Sequence, residues 1–335
     1  MKAFSILFAL SFFLLSFRFP EDHSFHKEYP LEWVYFVGQL ESTTGRKFGY
    51  ELSFFRVEVN GVQAYPVHFA ISDLEKDKFF FTDTIQRNLG DVAGHSNKKI
   101  WSLDYELRIE SPTKFVLVAK PRTGNIQLDL QVSGDLTKIL LHGENGISIK
   151  SRKNPKIFSH YYSFPRLNTT GSITINQESF QITKGQSWMD HEWTGNKDRI
   201  DLASSENSWD WACIQFEDGT DAVVFNFREK RNSPPETFFT IRHPGQKEKW
   251  IDSASFQPTG KTWKSQKTNK IYQISWELKN SEYRISLEPL MQNQEVNAQK
   301  STLNSYWEGA MTAKGFWNGK TTLGKSYLEL KGGVQ

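Results

Sequence analysis

The sequence predicts an all-β protein made of two β domains, and three features support this fold class. Apolar and polar residues alternate with a period of two in many short segments, which is typical of strands with one buried face. Aromatic residues make up 14% of the 335 residues, and flat rings pack well on a pleated sheet. A group of residues also recurs in the same order in both halves. Many short strands separated by turns indicate sandwiches or barrels.

Period-two alternation predicts strands along nearly the whole chain. In residues 48–55 the large apolar side chains at even positions share one face of a strand. In the second half, Asp-Gly-Thr at 218–220 separates two apolar runs and predicts a tight hairpin. Further strands are predicted at residues 66–72, 101–109, 114–120, 126–132, 137–142, 146–151, 171–176, 178–183, 209–217, 221–229, 237–242, 271–278, 282–288, 306–313 and 325–331.

An internal repeat indicates two copies of one β domain. A Trp followed six residues later by Gln opens a strand–turn–strand segment at Trp33 and again at Trp209. Near the end of each half, Gly-Gln-Ser-Trp-Met-Asp at 185–190 matches Gly-Lys-Ser-Tyr-Leu-Glu at 324–329. Because both matches occur in the same order, they predict a duplication rather than chance similarity.

The length and the repeat together predict the domain boundaries. A chain of 335 residues exceeds one typical domain and suits two of ordinary size. We expect the first domain at residues 28–194 and the second at 209–335. Residues 195–208 are polar and lack periodicity, which is typical of a linker.

The N-terminus predicts an exported protein. Lys2 is followed by an apolar run at residues 3–17 and then by polar residues, which is the pattern of a secretory signal peptide. We therefore assign residues 1–19 to a leader and expect a secreted or periplasmic protein. The alternative is an uncleaved N-terminal anchor that keeps the protein near a membrane, although the run is shorter than the about 20 residues that a span needs.

Composition restricts the partners. The formal net charge is only +3 and the basic residues are scattered among acids, so we expect no nucleic-acid partner. The only cysteine, Cys213, lies in an apolar run, where a free thiol usually behaves as a small buried hydrophobe. We expect a monomer.

No metal or cofactor site is predicted. His191-Glu192 resembles the start of a zinc-protease motif, but Gly195 stands where the second histidine must be. The other histidines are far apart in sequence, and no glycine-rich phosphate loop is present.

The strongest candidate for a catalytic site is the segment 187–193. In a strand, alternation places Trp188, Asp190 and Glu192 on one face and His191 and Trp193 on the other. Two carboxyl groups beside an indole can have their pKa values moved apart by burial and mutual repulsion, which suits acid–base chemistry. The alternative is that Asp190 has a structural role.

The repeat supports a structural role for Asp190, because Glu329 holds the equivalent position in the second domain.

A second proton-handling group is predicted at His68. The alternative for His68 is a buried histidine whose ring nitrogens are satisfied by hydrogen bonds. The predicted ligand-binding residues are all aromatic, and their alternative role is to fill a core: Tyr35, Phe54, Trp101, Tyr162, Trp188 and Trp193.

These segments also resemble a known family, the AttH/CrtC-like group of carotenoid 1,2-hydratases, predicted secreted hydrolases and fungal Diels–Alderase relatives. Glu-Trp-Val-Tyr at 32–35 resembles its opening Glu-Trp-Trp-Tyr signature, and residues 187–193 resemble its Trp-Met-Asp-His-Glu hallmark. The resemblance implies two lipocalin-like β-barrel domains and a hydrophobic ligand. In the hydratases it implies acid-assisted addition of water to an isoprenoid double bond, with Asp190 as the proton donor and His191 or Glu192 tuning it.

Two functions therefore remain open from the sequence. The first is a cofactor-independent hydratase or hydrolase-like enzyme that acts on an apolar, isoprenoid or lipid-like substrate. The second is a non-catalytic lipocalin-type carrier or transporter-accessory protein for the same kind of ligand. An aromatic cavity serves either one, because apolar burial supplies the binding free energy.

Overall fold

The computed structural model describes residues 17–194 and 206–332. Within these ranges the regular structure is β apart from two short 3-10 turns, Glu21–His23 and Leu136–Lys138, so the predicted fold class is confirmed. The strands of the first half, β1 to β13, are Leu31–Ser42, Lys47–Val59, Val62–Asp73, Lys78–Arg87, Ala93–Ser96, Lys99–Ser102, Tyr105–Ser111, Lys114–Ala119, Ile126–Ser133, Leu140–Leu141, Ile147–Ile149, Phe158–Ile175 and Glu178–Thr194.

The strands of the second half are on average shorter. They are β14 to β25, at Ser208–Phe216, Asp221–Arg228, Glu236–Arg242, Lys249–Ile251, Ser255–Pro258, Thr262–Lys264, Ile271–Gln273, Trp276–Lys279, Arg284–Pro289, Glu295–Ala298, Asn304–Trp317 and Lys320–Lys331.

The first half forms one antiparallel sheet that curls into a nearly closed barrel. Its strand order is β4-β3-β2-β1-β13-β12-β9-β8-β7-β6-β5, and β10 and β11 also pair with β12. The large side chains at even positions of 48–55 point into the barrel, where Phe48, Tyr50, Leu52 and Phe54 join its apolar core. The predicted alternation of that strand is therefore confirmed.

The second half forms a half-barrel with the same arrangement of its central strands. Its order is β17-β16-β15-β14-β25-β24-β22-β21-β18, so β14 lies between β15 and β25 as β1 lies between β2 and β13. The register agrees as well: Tyr35 pairs with Asp190 in the first domain, and Trp211 pairs with Glu329 in the second. This correspondence matches the internal repeat found in the sequence.

The two domains pack through equivalent outer faces of these central strands. A third apolar cluster fills this junction, with Val37 and Trp188 from the first domain and Cys213, Ala310 and Tyr327 from the second. Cys213 is buried there, as predicted. Both faces of the central strands are consequently buried, one in a barrel and the other between domains.

Several strand boundaries differ from the prediction for identifiable reasons. The single strand expected at 101–109 is a hairpin of β6 and β7 that turns at Leu103, whose φ is +52°. The strands β12 and β13 extend beyond the predicted 171–176 and 178–183. Within these extensions, residues 159–165 and 187–194 are buried on both faces, so exposed polar positions do not mark them as a half-buried strand.

The predicted leader and linker lie largely outside the described residues, at 1–16 and 195–205. Phe17 and Phe19, which the prediction places inside the leader, pack against Tyr162 in the first barrel, with ring centroids 5.5 and 5.1 Å apart. The folded domain therefore begins no later than Phe17. No helix in the described residues has the length and apolar character needed to cross a membrane.

Candidate functional site

A cavity of about 520 Å³ lies between the two domains. Most of its wall is apolar, and both domains contribute aromatic rings. The principal apolar lining residues are Leu31, Trp33, Tyr35, Phe55, Val57, Trp209, Trp211, Phe225 and Phe227. Each half therefore contributes the outer face of its sheet, and the cavity exists only because the two domains meet.

Asp190 and Glu192 reach this cavity because they are two residues apart on β13 and therefore share one face of the strand. Met189 and Trp193 point into the core of the first barrel, whereas Trp188 packs in the domain junction. Asp190 and Glu192 line the cavity wall. The two faces predicted for this strand are therefore the two faces observed.

Asp190 is buried and fully hydrogen-bonded. Its carboxyl oxygens accept bonds from Ser163 Oγ at 2.5 Å, Tyr161 Oη at 2.5 Å and Trp188 Nε1 at 2.6 Å. Burial raises the pKa of Asp190 to about 7, although these three bonds act to lower it. A carboxylate that accepts three donors holds those side chains in place and has little freedom to transfer a proton. The contacts of Asp190 favour a positioning role.

Glu192 forms a buried ion pair on the same wall. Its Oε1 atom lies 2.5 Å from Lys150 Nζ and accepts a bond from Ser159 Oγ at 2.5 Å. Lys150 is 4% exposed, and its ammonium group lies over the rings of Tyr161 and Phe225. Removal of either charge would leave its partner unpaired in a poorly solvated place.

The second domain contributes two further carboxyl groups. Glu308 on β24 lies directly opposite Glu329 on β25. Tyr35 donates its hydroxyl to Glu308 Oε1, whereas Oε2 has no hydrogen-bond partner among the described residues. Burial, reinforced by the charge of Glu329, raises the pKa of Glu308 well above its usual value.

Glu329 is the counterpart of Asp190 but has different neighbours. It accepts a bond from Trp209 Nε1 at 2.9 Å, and burial raises its pKa to about 7. Lys331, on the same face of β25, lies with its ammonium 4.0 Å from the centre of the Trp209 ring. Burial lowers the pKa of Lys331 to about 8.

His68 also lines the cavity, at the end formed by the loop before β24. Its Nδ1 atom lies 2.7 Å from the Tyr306 hydroxyl and its Nε2 atom 3.0 Å from the Ser301 hydroxyl. Burial lowers the pKa of His68 to about 3, so the ring is neutral at physiological pH. Both ring nitrogens are satisfied, which fits the alternative that the sequence left open.

Several predicted site residues lie away from this cavity. Phe54, Tyr162 and Trp193 belong to the core of the first barrel. Trp101 lies at the barrel surface, where Lys99 sits 4.7 Å from its ring centre. Trp188 contacts Asp190 from within the junction and does not line the cavity. Of the predicted ligand-binding set, Tyr35 reaches the cavity. A ligand-binding role for the others stays a prediction.

His191 points into the first barrel, where it joins a buried polar cluster. Its Nε2 atom and His26 Nδ1 each lie 2.7 Å from Glu32 Oε1, so three atoms that could bind a metal ion lie within 4.8 Å of one another. The remaining ring nitrogens also have partners, Tyr162 Oη at 3.1 Å and Asp22 at 3.3 Å.

The ring nitrogens of His26 and His191 and the Glu32 Oε1 atom all have hydrogen-bond partners within the protein. Burial opposes protonation of His26, but its bonds to Asp22 and Glu32 raise its pKa to about 9. A charged His26 between two carboxylates fastens the N-terminal segment to the barrel. The expectation that the protein binds no metal stays a prediction.

Sequence reasoning missed most of the second-domain side of the cavity. The sequence did not predict four lining residues, Lys150 in the first domain and Trp211, Glu308 and Lys331 in the second. All four lie outside the segment 187–193, and no local pattern connects them to it. Glu329 was identified only as the counterpart of Asp190. If the repeat is taken to pack through equivalent faces, the alternation of β25 places Glu329 and Lys331 opposite Asp190 and Glu192. That is the one signal that would have found them.

A barrel and a half-barrel that enclose an apolar, carboxyl-lined cavity define a tandem lipocalin-like β protein. The comparison with known sequences makes this specific: the chain belongs to the AttH-like family, which it matches over residues 15–333. The resemblance seen in its opening signature and in the segment 187–193 is thereby confirmed. No curated protein matches the chain.

Solved structures share the whole architecture. The crystal structure of a protein assigned as AttH from Nitrosomonas europaea has 28% sequence identity and a TM-score of 0.84, with 95% of this chain and 98% of that chain covered. Kievitone hydratase from Nectria haematococca has 17% identity and a TM-score of 0.72, covering 90% and 88%. CghA with Sch210972 has 9% identity and a TM-score of 0.57, covering 91% and 89%. The last two likenesses show a common fold.

Proposed function

We propose that this protein is a cofactor-independent hydratase that binds an uncharged, apolar small molecule between its two domains. The observation that carries the proposal is the cavity itself, where buried carboxyl groups from both domains meet an aromatic wall. Apolar surface supplies binding free energy at about 25 cal/mol per Å² buried. Carboxyl groups with raised pKa values supply acid and base near neutral pH.

The composition of the wall favours an uncharged ligand. Glu192 and Lys150 neutralise each other, and burial favours the neutral forms of Asp190, Glu308 and Glu329. An ionic ligand would lose its hydration in a cavity whose wall is mostly apolar, whereas an uncharged ligand would not. That the fold is shared with kievitone hydratase is consistent with addition of water as the reaction class.

A carrier function is the second candidate, and one observation favours it. The three hydrogen bonds to Asp190 leave the residue that the family resemblance implies as proton donor without a free position. A protein that only binds its ligand needs no free acid.

The test identifies the bound ligand and then measures whether the protein adds water to it. The protein is purified under native conditions and its bound small molecules are identified by mass spectrometry. Each molecule is then incubated with the protein in H₂¹⁸O. A product heavier by one ¹⁸O-labelled water supports the hydratase, whereas a ligand that stays unchanged supports the carrier. The absence of any bound apolar molecule would contradict both.

A matched pair of variants links the result to the cavity. Ala64 lines the cavity, so Ala64→Trp should fill it and abolish ligand recovery. Val62, on the same strand, is 48% exposed and lies outside the cavity wall, so Val62→Trp should leave recovery unchanged. Equal recovery by both variants would place the ligand elsewhere.

We also propose that the protein acts after export, on the basis of the basic and apolar pattern of its leader. Fractionation of the source cells tests this: the protein should leave the cytoplasm, with a mature N-terminus if the leader is cleaved. Retention of the full-length chain in the cytoplasm would overturn the proposal.

A further inference from the structure

Among the carboxyl groups of the cavity, Glu308 is the one that holds an unused oxygen in a buried position. Its side chain is 1% exposed. Oε1 accepts the hydroxyl of Tyr35, and Oε2 has no partner within the described residues. A buried polar atom without a partner costs about 1–3 kcal/mol, so its retention in a cavity wall points to a ligand that engages it.

The surroundings of Glu308 favour its neutral, protonated form. No ion pair of Glu308 occurs within residues 17–194 and 206–332. The titratable groups that face it are Glu329 and Tyr327 on β25 and Tyr35 on β1. The first of these is a carboxyl group on the neighbouring strand, at the separation of directly paired residues, about 5 Å between Cβ atoms. Two carboxylates so close disfavour simultaneous ionisation.

Two other acids of the wall, Asp190 and Glu192, are already committed. Asp190 accepts three hydrogen bonds and Glu192 is paired with Lys150. Because Tyr35 occupies Oε1 of Glu308, a proton on Oε2 forms an O–H bond that is directed to no protein acceptor. Glu308 lines the cavity although Oε2 itself is buried, so a rotation of the side chain toward the cavity would present this proton to a bound molecule.

We propose that Glu308 is the catalytic proton donor of this site and that Glu329 is its partner base, in the hydration of the alkene that the proposed function requires. The inference rests on the proposed hydratase function. It assigns the catalytic acid to the second domain rather than to the first, where the family hallmark lies. Asp190 then has the role of holding Tyr161 and Trp188 in position.

The chemistry balances with water as the only co-reactant. The O–H bond of Glu308 breaks as its proton forms a C–H bond with one alkene carbon, using the π electrons of the double bond. The oxygen of water forms a C–O bond with the other carbon and loses one proton to Glu329. That proton passes to the neighbouring Glu308 carboxylate, which restores both groups and leaves an alcohol.

The experiment compares Glu308→Gln with wild type. Gln keeps the size of the side chain and an oxygen for Tyr35, but it cannot supply a proton. The matched control is Glu295→Gln, since Glu295 is equally buried on β23 but lies outside the cavity, bonded to Ser265 and Thr268. The probes are farnesol, an uncharged alkene, and farnesoic acid, its anionic counterpart. Binding is followed by tryptophan fluorescence and hydration by ¹⁸O incorporation.

We expect wild type to bind farnesol more tightly than farnesoic acid and to hydrate it. Glu308→Gln should bind farnesol within about threefold of wild type yet hydrate it roughly 100- to 10,000-fold more slowly. Glu295→Gln should be unchanged. Hydration by Glu308→Gln at half the wild-type rate or faster would overturn the role of Glu308 alone. If wild type hydrates neither farnesol nor the recovered ligand, the proposed function fails and the donor role fails with it.

A second measurement keeps the inference testable if Glu308→Gln does not fold. Infrared difference spectra at neutral pH should contain the C=O stretch of a protonated carboxyl group, shifted by D₂O. In Tyr35→Phe, which removes a hydrogen bond that favours the ionised form, this band should persist to a higher pH, and the alkaline limb of the hydration rate should move with it. If neither the C=O band nor the alkaline limb of the hydration rate shifts in Tyr35→Phe, the assignment of the proton to Glu308 is contradicted.

Discussion

Tyr35 of the first domain donates its hydroxyl to the carboxyl group of Glu308 in the second domain. This bond crosses the domain junction at the cavity wall, and both residues are buried. It therefore contributes to domain docking as well as to the site.

Loss of this bond should measurably weaken the folded state. In Tyr35→Phe, both oxygens of Glu308 would lack a partner, and we expect the free energy of unfolding to fall by about 1–3 kcal/mol. Urea denaturation provides the measurement. Tyr29→Phe is the control, because the Tyr29 side chain is half-buried and its hydroxyl lies at a long 3.4 Å from His160 Nε2. A loss in Tyr35→Phe no larger than in this control would show that the bond does not support docking.

The buried pair of Lys150 and Glu192 should be strongly coupled. Lys150→Met leaves a buried carboxylate unpaired, so we expect a loss of about 3–5 kcal/mol in unfolding free energy. The double variant with Glu192→Gln should lose less than this single variant, which a double-mutant cycle measures. The exposed pair Lys249–Glu282, 2.8 Å apart, is the control: Lys249→Met should cost at most about 1 kcal/mol. Additive single effects at 150 and 192 would refute the coupling.

Stability should decline as pH rises from 6.5 to 9. Burial raises the pKa of Glu51 to about 8 in the folded chain, against about 4.3 when unfolded. The folded chain thus binds a proton that the unfolded chain has released, and that advantage is lost as pH rises to 8. His26, with its pKa raised to about 9, acts in the same direction. Buried His68, whose pKa is lowered, is neutral in both states above 6.5 and contributes nothing there.

The variant Glu51→Gln isolates one of these groups. Because it cannot ionise, it should lose less stability than wild type between pH 6.5 and 9, by on the order of 2 kcal/mol at 1.36 kcal/mol per pKa unit. Glu110→Gln, an exposed change on β7, should follow the wild-type curve. Parallel curves for wild type and Glu51→Gln in urea titrations would contradict the raised pKa of Glu51.

The N-terminal phenylalanines should belong to the mature protein. Phe17 lies 5.5 Å from the ring of Trp193 as well as from that of Tyr162. The combined change Phe17→Ala and Phe19→Ala should therefore lower the free energy of unfolding by about 1–2 kcal/mol per ring, and the thermal midpoint should fall with it. Phe316→Ala, at a ring that is 50% exposed, is the control. If the leader is cleaved, mass spectrometry should find a mature N-terminus at or before Phe17. A stable mature chain that begins after Phe19 would refute this.

The sequence by itself determined the strand content and the duplication. Period-two alternation is local, so the two faces of residues 48–55 and of 187–193 were predictable from neighbouring residues alone. The repeat identified Asp190 and Glu329 as counterparts, because homologous positions keep their spacing. The family resemblance located the segment 187–193 for the same reason.

Only the tertiary structure decided where the site lies and what its members do. Alternation gives two faces but does not say which one meets a barrel core and which one meets a second domain. The sequence therefore predicted both Asp190 and His191 as site residues, although they point into different environments. The bond from Tyr35 to Glu308, the pairing of Lys150 with Glu192 and the bonds from Tyr161 and Ser163 to Asp190 all join residues far apart in sequence. Burial and hydrogen bonding, which set the protonation state of each carboxyl group, exist only once the two domains have packed.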